Sequence, residues 1–157
     1  MIYTYLIDSP VGNLGLSLYQ NKLSCIEFLG EHQPKIVTED AQDNAVLQNI
    51  ISEIQTYFQQ PAHVFTLSLH IEGTLFQQKV WEALRQIPAG HTLSYGELAR
   101  QLKTSPRAIG NACRANRIPL VIPCHRITAK NNLGGFSGKT SGQFFAIKKW
   151  LLQHEAF

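Results

Sequence analysis

The sequence is sparing with several residue classes. Of its 157 residues three are cysteine, one is methionine and 16% are charged. No run of about 18 apolar residues occurs, so no segment reads as a membrane-spanning helix. The opening Met1-Ile2-Tyr3-Thr4-Tyr5 lacks both a basic start and a clean apolar core, so we expect no signal peptide and an intracellular, cytoplasmic protein. Cys25, Cys113 and Cys124 lie far apart, and neither a CxxC pair nor an HxxxH pair is present. That argues against zinc or any other bound metal. An odd, sparse set of thiols also argues against a disulfide framework. Buried thiols remain, or one reactive thiol. Internal repeats and low-complexity tracts are missing too. With 44% hydrophobic residues the composition is that of a globular chain holding one large or two small domains.

Acidic residues are scarce in one half only. Residues 1–72 carry two basic and eight acidic side chains, net −6, whereas residues 73–157 carry twelve basic and three acidic ones, net +9. A basic half of this kind fits contact with a polyanion such as nucleic acid, although charge alone is also compatible with a basic surface that has no partner. The sign changes near Gly73-Thr74. We therefore expect a small support domain over residues 1–72 and the functional domain over 73–157.

The first half reads as strands and one helix. Residues 2–8 are β-rich, and Ser9-Pro10-Val11-Gly12-Asn13 is turn chemistry. Residues 14–19 alternate, with Leu14, Leu16 and Leu18 on one face, and residues 23–28 follow a turn at Gln20-Asn21-Lys22. Val46, Leu47, Ile50, Ile51, Ile54, Tyr57 and Phe58 share a helical face that Pro61 closes, and residues 64–71 suggest a further strand. The second half reads as helices. Phe76, Val80, Trp81, Leu84 and Ile87 define an inward face that stops at Pro88-Ala89-Gly90. Ser94-x-x-Glu97 is a capping box with Leu93 and Leu98 as its hydrophobic staple. The helix it starts runs to Leu102; Lys103-Thr104 turns, and Ser105 caps a second helix with Pro106 at its first position, ending near Ala115. Two short helices around a tight turn, the second carrying Arg107 and Arg114, make a helix-turn-helix pattern. A last helix over 143–154 has Phe144, Ile147 and Leu151 on one face and Thr140 or Ser141 as its cap. The fold class is α+β.

One dipeptide carries chemistry. Cys124 follows Leu120-Val121-Ile122-Pro123 and precedes His125 and Arg126. The thiolate is the reactive form of cysteine, and positive neighbours are expected to lower the thiol pKa here. His125 is a candidate base, directly or through a water. Glu155, one of three acids in this half, is a candidate to orient it. An arbitrary Cys-His pair is more often an inert buried thiol beside a histidine.

Pro123-Cys124-His125-Arg126, with the apolar run before it, resembles the active-site signature of the O6-alkylguanine-DNA alkyltransferases, the methylated-DNA–protein-cysteine methyltransferases. The resemblance extends over residues 73–157. Phe76-Gln77-Gln78-Lys79-Val80-Trp81 is similar to the family's opening helix, Ser94-Tyr95-Gly96-Glu97-Leu98-Ala99 to its first helix-turn-helix element, and Arg107-Ala108-Ile109-Gly110 to its arginine-finger motif. Asn116 precedes Cys124 by the family's spacing; Leu133-Gly134-Gly135-Phe136-Ser137-Gly138 resembles the loop lining the alkyl-base pocket, and the Lys149-Trp150-Leu151-Leu152 run with Glu155 its closing helix. Residues 1–72 match only in length and in their β-rich, one-helix character.

The resemblance implies direct, single-turnover DNA repair without a cofactor. Duplex DNA would be bound through a winged helix-turn-helix in the minor groove, beside a ribonuclease-H-like first domain. An O6-alkylated guanine would be flipped out of the stack, and its alkyl group moved to Cys124. O4-alkylthymine is left open as a second substrate. Arg107 would fill the vacated space, Tyr95 would press on the neighbouring phosphate and reach the base, and Asn116 would be the hinge asparagine. Cys124, a water, His125 and Glu155 would form the activation relay. Gly96 and Arg114, with Gln77 and Lys130, complete the implied DNA contacts; Asn111 departs from the family, where a small residue is commoner, and its place in the second helix would let it contact DNA too. Pro119, Val121, Phe136, Ser137 and Gly138 would form the pocket. No obligate protein partner and no membrane are implied, and a monomer is expected, on nucleoid DNA or in a nucleus if the host is eukaryotic. Cys25 is expected in the core, and Cys113 as packing.

Rival readings fit less well. A binding protein without chemistry would lack the nucleophile. A transcription regulator should read base edges through a polar helix, whereas Ala108-Ile109-Gly110-Asn111-Ala112-Cys113 is mostly small and apolar. A cysteine hydrolase leaves the basic half unexplained.

Overall fold

Residues 3–32, 44–130, 134 and 142–156 are described by a computed structural model, in which the chain divides into two compact units, Met1–Ile71 and Glu72–Phe157. The first unit holds an antiparallel sheet in the order β1 (Tyr5–Ile7), β2 (Asn13–Tyr19), β3 (Lys22–Gly30). Gln20 and Asn21, at φ 49° and 61°, close the β2–β3 hairpin as a two-residue loop of the type that follows the strand twist. Cross-strand pairs Leu14↔Phe28 and Leu16↔Ile26 bury one face. A register shift between Ser17 and Leu18 interrupts the alternation, and Leu18 is only half-buried.

Helix α1 (Ala45–Gln59) starts at Asn44, whose side chain accepts the Leu47 N–H at 3.1 Å. Leu47, Ile50, Ile51, Ile54 and Tyr57 are buried on its inner face, each aliphatic among them worth about 1.5–3 kcal/mol. Val46, expected on that face, lies at its exposed edge. The strand expected over 64–71 is reduced to one parallel bridge, Leu23↔Leu69. The reason lies in α1: the Glu53 carboxylate accepts the Thr66 N–H at 2.9 Å and the Thr66 hydroxyl at 3.1 Å, with His63 Nε2 at 3.0 Å. A side chain has taken the backbone donor that a ladder needs.

In the second unit α2 (Leu75–Arg85) opens with a reciprocal capping box between Thr74 and Gln77. Its inward face is Val80, Trp81 and Leu84; Phe76, expected with them, is exposed in the first turn, as is Leu75. The indole N–H of Trp81 donates to the Ala112 carbonyl at 2.8 Å. Strand β4 (Leu93–Ser94) leads into α3 (Tyr95–Leu102), whose Ser94–Glu97 capping box is formed as expected. Lys103 ends α3 in the left-handed region, and Ser105 caps α4 (Pro106–Arg114) by accepting the Ala108 N–H at 3.2 Å. Strand β5 (Ile127–Thr128) pairs in parallel with β4, Leu93 with Ile127 and Ser94 with Thr128. Helix α5 (Gln143–Glu155) has Gly142 as its N-cap, with no side-chain capping bond, rather than the expected Thr140 or Ser141, which lie outside the described residues. Leu84, Leu98, Ile109, Ile127 and Leu151 are fully buried and form the centre of this unit. Among the described residues no helix is long and apolar enough to cross a membrane.

Candidate active site and nucleic-acid face

The β4–β5 pair brings the start of α3 alongside the Cys124 turn, since Tyr95 follows Ser94 directly and Cys124 stands three residues before Ile127. The segment leading to Cys124 is tightly folded. Asn116 staples it: the Asn116 amide donates to the Ile122 carbonyl at 2.9 Å, and its side-chain oxygen accepts the Ile118 N–H at 3.0 Å. Inside that staple Leu120, fully buried, holds φ +73°, a left-handed backbone that costs a leucine on the order of 1–3 kcal/mol. Pro123 centres a tight turn in which the Cys124 N–H reaches the Ile122 carbonyl at 2.8 Å. Cys124, His125 and Arg126 then form a single 3-10 turn, all three buried.

His125 Nε2 lies 2.7 Å from Glu155 Oε2, at 0% and 1% side-chain exposure. With the carboxylate accepting, the Nε2 proton is donated and Nδ1 carries the lone pair. Nδ1 is buried and has no hydrogen-bond partner among the described residues. Burial pushes the His125 pKa down, against the pull of Glu155, so the ring is held neutral. Glu155 is also gripped by Arg126, Nε to Oε1 at 2.9 Å and NH2 to Oε2 at 3.0 Å.

The thiol departs from expectation. Burial pushes Cys124 up to about 11, and the nearby Asn116 amide and Lys148 ammonium only partly offset it. Positive neighbours exist, but desolvation of the thiolate outweighs them. The resting thiol is therefore protonated, and to act as a nucleophile it would need a base to remove its proton. Tyr95 is raised to about 12 by burial and by the Cys113 and Cys124 thiols, so its hydroxyl keeps its proton and can donate a hydrogen bond.

Lys148 was not singled out by the sequence reading, yet it is fully buried in this site. Its Nζ donates to the Ile127 carbonyl at 2.6 Å and lies 6.0 Å from the centroid of the Tyr95 ring. A signal was present: Phe144, Ile147, Leu151 and Glu155 trace one helical face, and Lys148 falls within it four residues after Phe144. Arg126 was read only as a neighbouring charge.

The remaining expected residues separate into three places. Arg107, Asn111 and Arg114, spaced by four and three, are exposed on one face of α4, opposite buried Ile109 and Ala112. Gly96 is half-buried at the start of α3, Lys130 is exposed beyond β5, and Gln77 accepts the Thr74 N–H in the α2 capping box at 3.0 Å. Pro119 and Val121 are buried beside the Asn116 staple, whereas Phe136, Ser137 and Gly138 lie outside the described residues. Gly134, from the same loop, has φ +70°, and a β-carbon there would come within 3.0 Å of the Tyr95 ring. Cys25 is buried in the first unit and Cys113 half-buried on α4. A cleft of about 390 Å³ bordered by residues 90–92, 128–130 and the end of α5 touches Glu155 and not Cys124, so it is separate from the thiol. No group of three or more metal-ligating side chains occurs among the described residues.

Comparison with known proteins decides the family. The family model described as the DNA-binding domain of 6-O-methylguanine DNA methyltransferase matches residues 75–157. A methylated-DNA–protein-cysteine methyltransferase of Methanosarcina mazei is 32% identical over 157 residues, covering 98% of this chain and 97% of that one. The chain belongs to the methylated-DNA–protein-cysteine methyltransferase family. Solved methyltransferase structures agree. The crystal structure of Mycobacterium tuberculosis O6-methylguanine methyltransferase matches with a TM-score of 0.80 at 31% identity, over 96% of this chain and 90% of that one. Mycobacterium tuberculosis OGT in complex with DNA also matches with a TM-score of 0.80 at 31% identity, over 99% and 93% of the two chains. The α+β architecture described above is thus that of methyltransferases of this family.

Proposed function

We propose that Cys124 accepts the alkyl group of an O6-alkylguanine flipped out of duplex DNA, once per protein molecule. As a member of its family the chain is a DNA-repair enzyme that transfers an alkyl group from DNA to a cysteine. The observation that carries the residue assignment is a buried, protonated thiol next in sequence to a neutral histidine whose other nitrogen is locked on a carboxylate.

In this reading a water takes the Cys124 proton and passes it to the free Nδ1 of His125, while Glu155 holds the ring and steadies the imidazolium. The sulfur attacks the alkyl carbon, an S–C bond forms and the C–O6 bond breaks, its electron pair going to the purine. The base becomes guanine on taking up one proton, which balances the one lost by the thiol. Tyr95, keeping its own proton, hydrogen-bonds to the leaving base. Lys148 favours the thiolate by charge. A thioether offers no leaving group, so the protein is consumed.

The second unit would dock on the minor groove through α3 and α4, with Arg107 entering the stack and Asn111 and Arg114 flanking it. Tyr95, Gly96, Gln77 and Lys130 complete the contacts. Pro119, Val121, Phe136, Ser137 and Gly138 would line the base pocket, and Asn116 would couple the DNA-binding helices to the Cys124 turn. The first unit would serve as support. Such an enzyme would work where chromosomal DNA is, in the cytoplasm or in a eukaryotic nucleus, as a monomer. The test is mass spectrometry of the protein after mixing with a duplex carrying one O6-methylguanine. We expect a gain of one methylene per molecule, on the Cys124 peptide alone. Binding without mass gain would reduce the chain to a lesion-binding module, and a gain elsewhere would overturn the assignment of Cys124.

A further inference from the structure

We propose that Arg126 is a positioning residue for alkyl transfer, fixing Glu155 and balancing its charge so that His125 stands as an uncharged imidazole ready to take the thiol proton. This role rests on the reading of Cys124, His125 and Glu155 as the reacting set.

Three N–H groups of one buried guanidinium define the geometry. Nε donates to Glu155 Oε1 at 2.9 Å, NH2 to Glu155 Oε2 at 3.0 Å, and NH1 to the Ile87 carbonyl at 2.6 Å. A guanidinium is planar, permanently charged and matched to both carboxylate oxygens at once. The carboxylate is therefore clamped in a fixed plane, and its Oε2 is left to meet His125 Nε2 at 2.7 Å. The Ile87 contact ties the clamp to the turn just after α2, so the guanidinium joins that turn, the Cys124 turn and α5 at the reacting histidine.

Charge makes the same residue do a second task. The groups acting on His125 are Glu155 and Lys148 from α5 and Arg126 from its own turn. Glu155 draws a proton toward the ring, while Arg126 and Lys148 repel it. Without Arg126 the carboxylate is uncompensated in a buried site, and a proton settles on the imidazole–carboxylate pair near neutral pH. An imidazolium cannot accept the thiol proton.

The experiment is single-turnover transfer to the full-length protein from free O6-benzylguanine, between about pH 5 and about pH 9 so as to span the histidine range. For Arg126→Gln we expect the acidic limb of the profile to move up by about one pH unit or more, a loss of about tenfold on the limb itself that is largely recovered at the alkaline end. Arg126→Lys keeps the charge and loses the fork; its limb should stay in place while its plateau falls. An Arg126→Gln profile whose limb does not move, whatever its plateau, overturns the proposal. His125→Gln separates the two levels. If it leaves the wild-type limb intact, the relay itself is wrong. If it flattens the limb while Arg126→Gln leaves the limb unmoved, the relay stands and the role of Arg126 falls. Should both Arg126 variants fail to fold, nitrogen NMR of the wild-type imidazole decides: a neutral ring protonated on Nε2 at neutral pH supports the role, and a charged ring overturns it.

Discussion

A buried ammonium gives up most of its hydration, so its position beside a thiol calls for a reason at the scale of the residue. Burial draws Lys148 down to about 8, and the Cys124 and Cys113 thiols pull it back up. The exchange is mutual, because Lys148 also lowers Cys124. Lys148→Met keeps the volume and removes the charge. We expect transfer to slow by at least about tenfold, since the Cys124 thiolate loses a positive neighbour that favours it. Stability should stay within about 2 kcal/mol of wild type, because a buried charge replaced by an apolar side chain costs little. Single-turnover rates and thermal melts on the same samples separate the two effects. At this scale the sequence offered Cys124, His125 and Glu155 as candidates, and the resemblance of the surrounding motifs, not residue type alone, set them above an inert buried thiol. It left Lys148 unread, although an ionisable residue on an apolar stripe was visible. It also misjudged the direction of the Cys124 shift, because desolvation depends on packing that no count of charges contains.

The helix pair is where an element's own chemistry decides its shape. Ser105 satisfies an otherwise open N–H of α4, and Pro106 at the first turn loses no bond there. Lys103, between the helices, sits at φ 55° and ψ 51°, a conformation that favours glycine. Ser105→Ala should destabilise the protein by about 1 kcal/mol. Lys103→Gly should be neutral or stabilise by up to about 1 kcal/mol. Denaturant titration of both variants checks the pair of signs. Caps and turns of this kind are local, and so Ser94, Glu97, Ser105 and Pro106 could be read directly from sequence. The segment at residues 64–71 could not, because its fate was set by Glu53 on a distant part of the chain. The β4–β5 pairing went unread for the same reason: Leu93 and Ile127 are brought together only by the fold.

At the scale of the whole molecule, charge and chemistry share the second half of the chain. Arg107 stands exposed at the start of α4, whereas Cys124 is buried. Arg107→Ala should slow repair of O6-methylguanine in duplex DNA by at least about tenfold, since extruding a stacked base costs a few kcal/mol that the side chain helps to offset. Reaction with free O6-benzylguanine should hold within about twofold, a change worth less than about 0.5 kcal/mol. Equal losses on the two substrates would remove Arg107 from the DNA face. The same separation of surface from interior bears on how long an unused molecule lasts. With burial pushing its thiol up to about 11, Cys124 is almost entirely protonated at neutral pH. Peroxides and stray electrophiles attack the thiolate, and rarely meet one here. With Cys124 as the proposed alkyl acceptor, the burial that calls for a histidine base would also keep an unused molecule intact until its substrate arrives.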